Sequence, residues 1–165
     1  MKAIVAVDKN WGIGKNNDLL FSIPEDMKFF RQTTKDKIVV MGSNTLRSFP
    51  NGNPLKNRVN IVLSSKLVRD DCIIVDSVEK LLQEIKKYPL DDVYLIGGAM
   101  LYKTLLPYCT EAHVTKVDAD GNATAIFDNL DTLKEWTLQK ESDIINSNGF
   151  NIKFTTYKNS CVKEY

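Results

Sequence analysis

The sequence predicts an α/β protein in three layers: a mostly parallel central β-sheet flanked by about four helices, with an antiparallel C-terminal hairpin edge. Two observations predict it. Up to Pro107, short and almost wholly apolar β-rich runs alternate with helix-period segments, and such runs fit strands covered on both faces. After Pro107, strand-like segments follow one another without intervening helices, which adds the antiparallel edge.

The first strand is KAIVAV (2–7), which stops at Asp8. It is too short for a signal h-region or a bilayer span, so a cytoplasmic location and no membrane attachment are expected. GIGKNN (12–17) fails as G-x-G-x-x-G, because Asn17 holds the last position and no helix starts before Pro24. Pro24 suits the first turn of a helix, and Glu25 and Asp26 suit its dipole. On that helix Ile23, Met27, Phe30 and Thr34 are spaced to form one stripe, with Asp26 at its border.

KIVVMG (37–42), RVNIVL (58–63), CIIV (72–75) and DVYLI (92–96) supply further buried strands. DSVEKLLQEIKK offers a capping box at Asp76 and Glu79, then Val78, Leu81, Leu82 and Ile85 at helical spacing. EAHVTKV, KEWTLQKE and FNIKFTTYK complete the strands, and Asn148-Gly149 between the last two signals a hairpin.

A length of 165 residues, 43% of them hydrophobic and 26% charged, predicts a single domain over 1–165. The net charge of +1 argues against a nucleic-acid partner. Cys72, Cys109 and Cys161 form no CxxC, and His113 is the lone histidine, so neither disulfides nor a metal site is expected.

Function rests first on two strand-to-helix junctions, around Gly42 and at Gly97-Gly98. In α/β sheets ligands bind beyond the carboxyl ends of strands, where helix N-termini attract phosphates. The residues alone leave open whether these glycines only permit tight turns, and whether Asp26 only complements a helix dipole.

AIVAVDKNWGIGKNNDL, IPEDMKFFRQTT, VVMGSNTLRSFP, RVNIVLSS, VYLIGGAMLY and HVTKVDA occur in an order and spacing by which the chain resembles bacterial dihydrofolate reductases over nearly its whole length. The resemblance implies hydride transfer from NADPH to C6 of 7,8-dihydrofolate with protonation of N5, giving tetrahydrofolate. That product serves one-carbon metabolism and purine, thymidylate and amino-acid synthesis. It also implies a monomer that binds folate-like molecules, including 2,4-diaminopyrimidine antifolates.

Residue by residue, the resemblance implies that Asp26 pairs with the pterin 2-amino group and N3, that Thr115 bridges to Asp26, and that water donates the proton. Val5, Ala6 and Ile96 would lie near the pterin, and Met27, Phe30, Phe49 and Leu55 around the aminobenzoyl ring. Arg58 would hold the glutamate α-carboxylate as a two-pronged donor. Ala6, Ile13, Gly14, Leu19 and Ile96 would meet the nicotinamide end. Gly42, Ser43, Asn44 and Thr45 would form one phosphate-binding turn, and Gly97, Gly98, Ala99, Met100, Leu101 and Tyr102 the other, with a cis peptide at Gly97-Gly98. Leu63, Ser64, Ser65 and Lys66 would reach the adenosine and its 2′-phosphate.

Three departures from the family pattern bear on this. Leu20-Phe21 replaces a common Pro-Trp, so Phe21 beside the pterin offers no indole donor for an active-site water. Ser43-Asn44 lacks a frequent basic residue. Ala123 stands where an acidic residue commonly braces the loop over the nicotinamide. Two other readings stay open: a reductase of another pterin or pyrimidine, and a non-catalytic nucleotide- or folate-binding module.

Overall fold

The computed structural model describes residues 1–16 and 18–165; Asn17, the last residue of GIGKNN, lies outside the described residues. In chain order the elements are β1 (Lys2–Val7), β2 (Gly12–Gly14), α1 (Pro24–Thr34), β3 (Ile38–Gly42), α2 (Ser43–Ser48), β4 (Val59–Leu63) and β5 (Ile73–Val75). They continue as α3 (Val78–Ile85), β6 (Val93–Gly97), α4 (Ala99–Leu105), β7 (Glu111–Val117), β8 (Ala125–Ile126), β9 (Trp136–Glu141), β10 (Ile145–Ser147) and β11 (Phe150–Asn159).

The main sheet runs β10-β11-β7-β1-β6-β3-β4-β5, with β9 also paired to β11. From β7 to β5 every pairing is parallel, and β11 joins β7 antiparallel, so the predicted mixed sheet is the one formed. Alternation along the strands separates two apolar layers. Val40, Ile61, Leu95 and Val114 pack with α3 and α4 on one face, whereas Val39, Met41 and Val62 pack with Leu46 of α2 on the other. The parallel pairing brings the carboxyl ends of β1, β3, β4 and β6 to a common edge.

Four details differ from the sequence reading. Ser77, not Asp76, caps α3, its hydroxyl accepting from Lys80 N at 3.2 Å. Both residue types cap well, so the pattern could not choose between them. Asp76 instead pairs with Lys80 Nζ at 3.0 Å. The tight turn at Asn148 (φ 52°) and Gly149 (φ 82°) joins β11 to the short strand β10 and not to KEWTLQKE. A second ribbon, β2 with β8, also went unread because its partners are far apart in sequence.

The fourth difference concerns α1, which is turned slightly from the predicted stripe, keeping Ile23, Phe30 and Thr34 but not Met27 on its covered face. Asp26, Phe29, Phe30 and Thr33 are half-buried and Thr34 is buried, but Met27 is 48% exposed. The cause is an aromatic ledge on the sheet. Phe29 packs on Phe154 at 4.9 Å and on His113 at 6.0 Å between ring centroids, and these contacts set the rotation of the helix.

Candidate functional site

Pro24 opens α1 and Ile23, 3% exposed, anchors its start against Val117 and Ile152. Asp26 then faces β7, where Thr115 Oγ1 donates to its Oδ1 at 2.6 Å. Thr115 is itself buried and lies in register with Ala6 of β1. Burial raises the Asp26 pKa above the ordinary carboxylate value, and the Thr115 bond works in the opposite direction. A carboxylate so placed is a strong acceptor with one lone-pair direction already used, and its remaining directions suit a planar pair of N–H donors.

Phe30, Phe49, Leu55 and Ile96 are half-buried, and the last three pack against the Val39–Met41–Leu46–Val62 cluster. Val5 belongs to the opposite apolar layer, so its backbone, not its side chain, is turned to this face. Arg58 stands at the far end of α1. Its Nε donates to Thr34 Oγ1 at 2.9 Å, and its terminal nitrogens donate to Lys56 O at 2.7 Å and Arg31 O at 3.3 Å. Among the described residues it has no carboxylate partner, so a braced guanidinium remains free to take an anion.

The two glycine junctions meet at the common edge. A Cβ on Gly42 would come within 4.0 Å of Gly98 N, and one on Gly97 within 3.3 Å of Thr45 Oγ1. Gly97 has φ 127° and its peptide to Gly98 is cis. Two turns bare of side chains thus lie side by side at this edge, an arrangement that suits an extended diphosphate. Behind this turn Leu101 and Tyr102 are buried, and the Tyr102 hydroxyl donates to Ile4 O at 2.7 Å; Ala99 is half-buried and Met100 is exposed.

From that edge a hollow of about 550 Å³ runs outward past Leu63 and between Ser43, Ser64, Ser65 and Lys66. Arg47 also lines it, a residue the sequence reading passed over. Its position four residues after Ser43 was the available signal, since that spacing returns to the same helix face. The charge missing at Ser43-Asn44 is thus present one turn further along α2.

The loop after β1 carries Ile13 and Gly14, both half-buried, and Leu19, 75% exposed. It is tied at two points. Asp8, 3% exposed, accepts from Asn10 N at 2.8 Å, Gly12 N at 2.7 Å and Gly121 N at 3.0 Å. Burial alone would raise its pKa, but these backbone donors hold it below the ordinary value. Farther out, Thr124 N donates to Gly14 O at 2.8 Å and Thr124 Oγ1 accepts from Asn16 N at 3.2 Å. The bracing position is therefore Thr124 and not Ala123. Phe21 packs on Phe150, with ring centroids 4.8 Å apart, and its Cζ would lie 3.1 Å from a Cβ on Gly121.

The family model for dihydrofolate reductase matches residues 1–159. The chain is similar to the dihydrofolate reductase of Haemophilus influenzae, at 35% identity over 137 residues and 82% of each chain. It is similar also to that of Bacillus subtilis, at 35% identity over 137 residues, covering 82% of this chain and 79% of the relative. The dihydrofolate reductase of Schistosoma mansoni is 34% identical over 179 aligned positions and 95% of each chain. With whole-length similarity added to a mixed sheet, a glycine-lined edge and a sheltered carboxylate on α1, the chain belongs to the dihydrofolate reductase family.

Proposed function

We propose that this chain reduces 7,8-dihydrofolate to 5,6,7,8-tetrahydrofolate with NADPH, as one domain and as a monomer in the cytoplasm. The observation that carries the reading is Asp26, half-buried and held by Thr115 on the face that adjoins the glycine edge. Membership of the family supports folate substrates and a nicotinamide cofactor. The open backbone at Gly42 and Gly97-Gly98, with the cation-lined hollow beyond, fits a phosphorylated dinucleotide such as NADPH.

In this reading the Asp26 carboxylate accepts from the pterin 2-amino group and N3–H. Thr115 fixes which carboxylate oxygen turns inward. The negative charge so held favours the electronic form of the pterin in which N5 takes a proton from water. When bound, the reduced nicotinamide supplies the hydride to C6. Phe30, Phe49, Leu55 and Ile96 present apolar surface to the aminobenzoyl ring, and Arg58 offers its guanidinium to the glutamate α-carboxylate. Met27, exposed on the same helix, adds a flexible apolar contact.

Ala6 and Ile13 with Gly14 and Leu19 form the approach of the nicotinamide end. The turns at Gly42–Thr45 and Gly97–Tyr102 flank the diphosphate, and Leu63–Lys66 the adenosine side. The product would feed one-carbon metabolism, and the Asp26 amidine pairing would equally accept 2,4-diaminopyrimidine antifolates. The test is dihydrofolate-dependent oxidation of NADPH by the purified chain. Turnover with dihydrofolate supports the proposal; turnover only with another pterin or a pyrimidine, or ligand binding without turnover, would replace it.

A further inference from the structure

We infer that Arg47 is a specificity-determining residue for the cofactor, supplying with Lys66 the charge that recognises the phosphate monoester on the adenosine ribose. This deepens the NADPH reading and rests on it. The geometry points to it in three ways. Arg47 and Lys66 line the same hollow, from α2 and from the turn after β4, together with the hydroxyl residues Ser43, Ser64 and Ser65. A phosphate dianion has the charge and the number of acceptor oxygens to use both.

Next, the hydroxyl of Ser64 is committed as an acceptor, from Lys66 N at 3.3 Å and Leu67 N at 3.1 Å. Its proton is therefore left to donate into the hollow. Finally, the one carboxylate lining this space, Asp76, is drawn off by Lys80 at 3.0 Å, so it does not neutralise the Arg47–Lys66 pair. Arg47 is exposed and hydrogen-bonds through one terminal nitrogen to Asn44 Oδ1, which holds the fork near Ser43 while its other N–H groups bond no protein acceptor among the described residues.

The experiment is equilibrium titration of NADPH and of NADH, followed by quenching of protein fluorescence, on wild type, Arg47→Ala and Arg47→Lys, at low and high salt. Arg47→Ala should weaken NADPH by roughly 10- to 100-fold and NADH by less than about twofold, as loss of a charge-assisted contact to the extra phosphate requires. Arg47→Lys should fall between, since an ammonium keeps the charge but not the fork. The salt dependence of NADPH binding should flatten in Arg47→Ala. If wild type prefers NADPH and Arg47→Ala keeps the full preference, the inference about Arg47 fails while the NADPH reading stands. If wild type itself shows no preference, the NADPH reading fails.

Discussion

Asp26 is placed against the interest of the fold: its carboxylate loses water beside β7 and recovers one 2.6 Å bond from Thr115. Because its folded pKa is raised, the native state binds more protons than the unfolded chain between the two values. Its contribution to stability is therefore fullest below the unfolded carboxylate value of about 3.9 and is lost as pH rises through the folded value. Asp26→Asn should melt no lower than wild type at neutral pH, with the difference narrowing in acid; a variant that melts lower at neutral pH and loses that gap in acid would show that the ionised group stabilises the fold. Arg58 allows a separate test, since its braces leave a direction for one anion. Arg58→Ala should raise KM for dihydrofolate by roughly tenfold or more, the worth of a charge-assisted pair, and leave a pteridine without the glutamate unaffected. An equal loss for both substrates would move Arg58 out of the binding surface.

At the level of elements, the loop after β1 and the loop after β7 behave as one unit because Asp8 accepts from both. Asp8→Asn turns an amide N–H₂ toward a backbone donor that the second oxygen now accepts, and should cost about 1–3 kcal/mol in urea unfolding. In wild type the depressed pKa makes this contribution complete above the unfolded carboxylate value and lost as pH falls through the folded one. The acid limb of the stability curve should accordingly flatten in Asp8→Asn; an unchanged limb would contradict the staple. Gly12→Ala should be damaging too, since its Cβ would lie 2.4 Å from Ala123 Cβ and 2.8 Å from Asp8 Oδ2, an overpacking cost of about 1–3 kcal/mol. The parallel strands were legible because burial on both faces leaves an unbroken apolar run such as Val39 to Met41. The rotation of α1 and the β2–β8 ribbon were not, because Phe154 and Ala125 decide them from more than 100 residues away.

For the whole molecule, the site is assembled from parts that the chain keeps far apart: Asp26 meets Thr115 where α1 lies against β7, and Gly42 meets Gly98 where β3 pairs with β6. The motif resemblance made Asp26, Arg58 and both glycine turns legible, whereas Asp8 and Arg47 stand inside its motifs with no role attached and Thr124 stands outside them, so these three became visible through their contacts alone. Because the proposed cofactor face spans β3, β4 and β6, NADPH should stabilise the native fold as a unit, by about 2.7 kcal/mol at a hundredfold excess over Kd. What joins that face to Asp26 is the hydride step itself, measured by single-turnover mixing of NADPH and dihydrofolate across pH with wild type and Asp26→Asn. Wild type should transfer hydride readily at neutral pH, while Asp26→Asn should be slower there by about 10²–10⁴ and recover in acid as bulk solvent protonates N5. Equal rates for the two proteins at neutral pH would contradict the role given to Asp26.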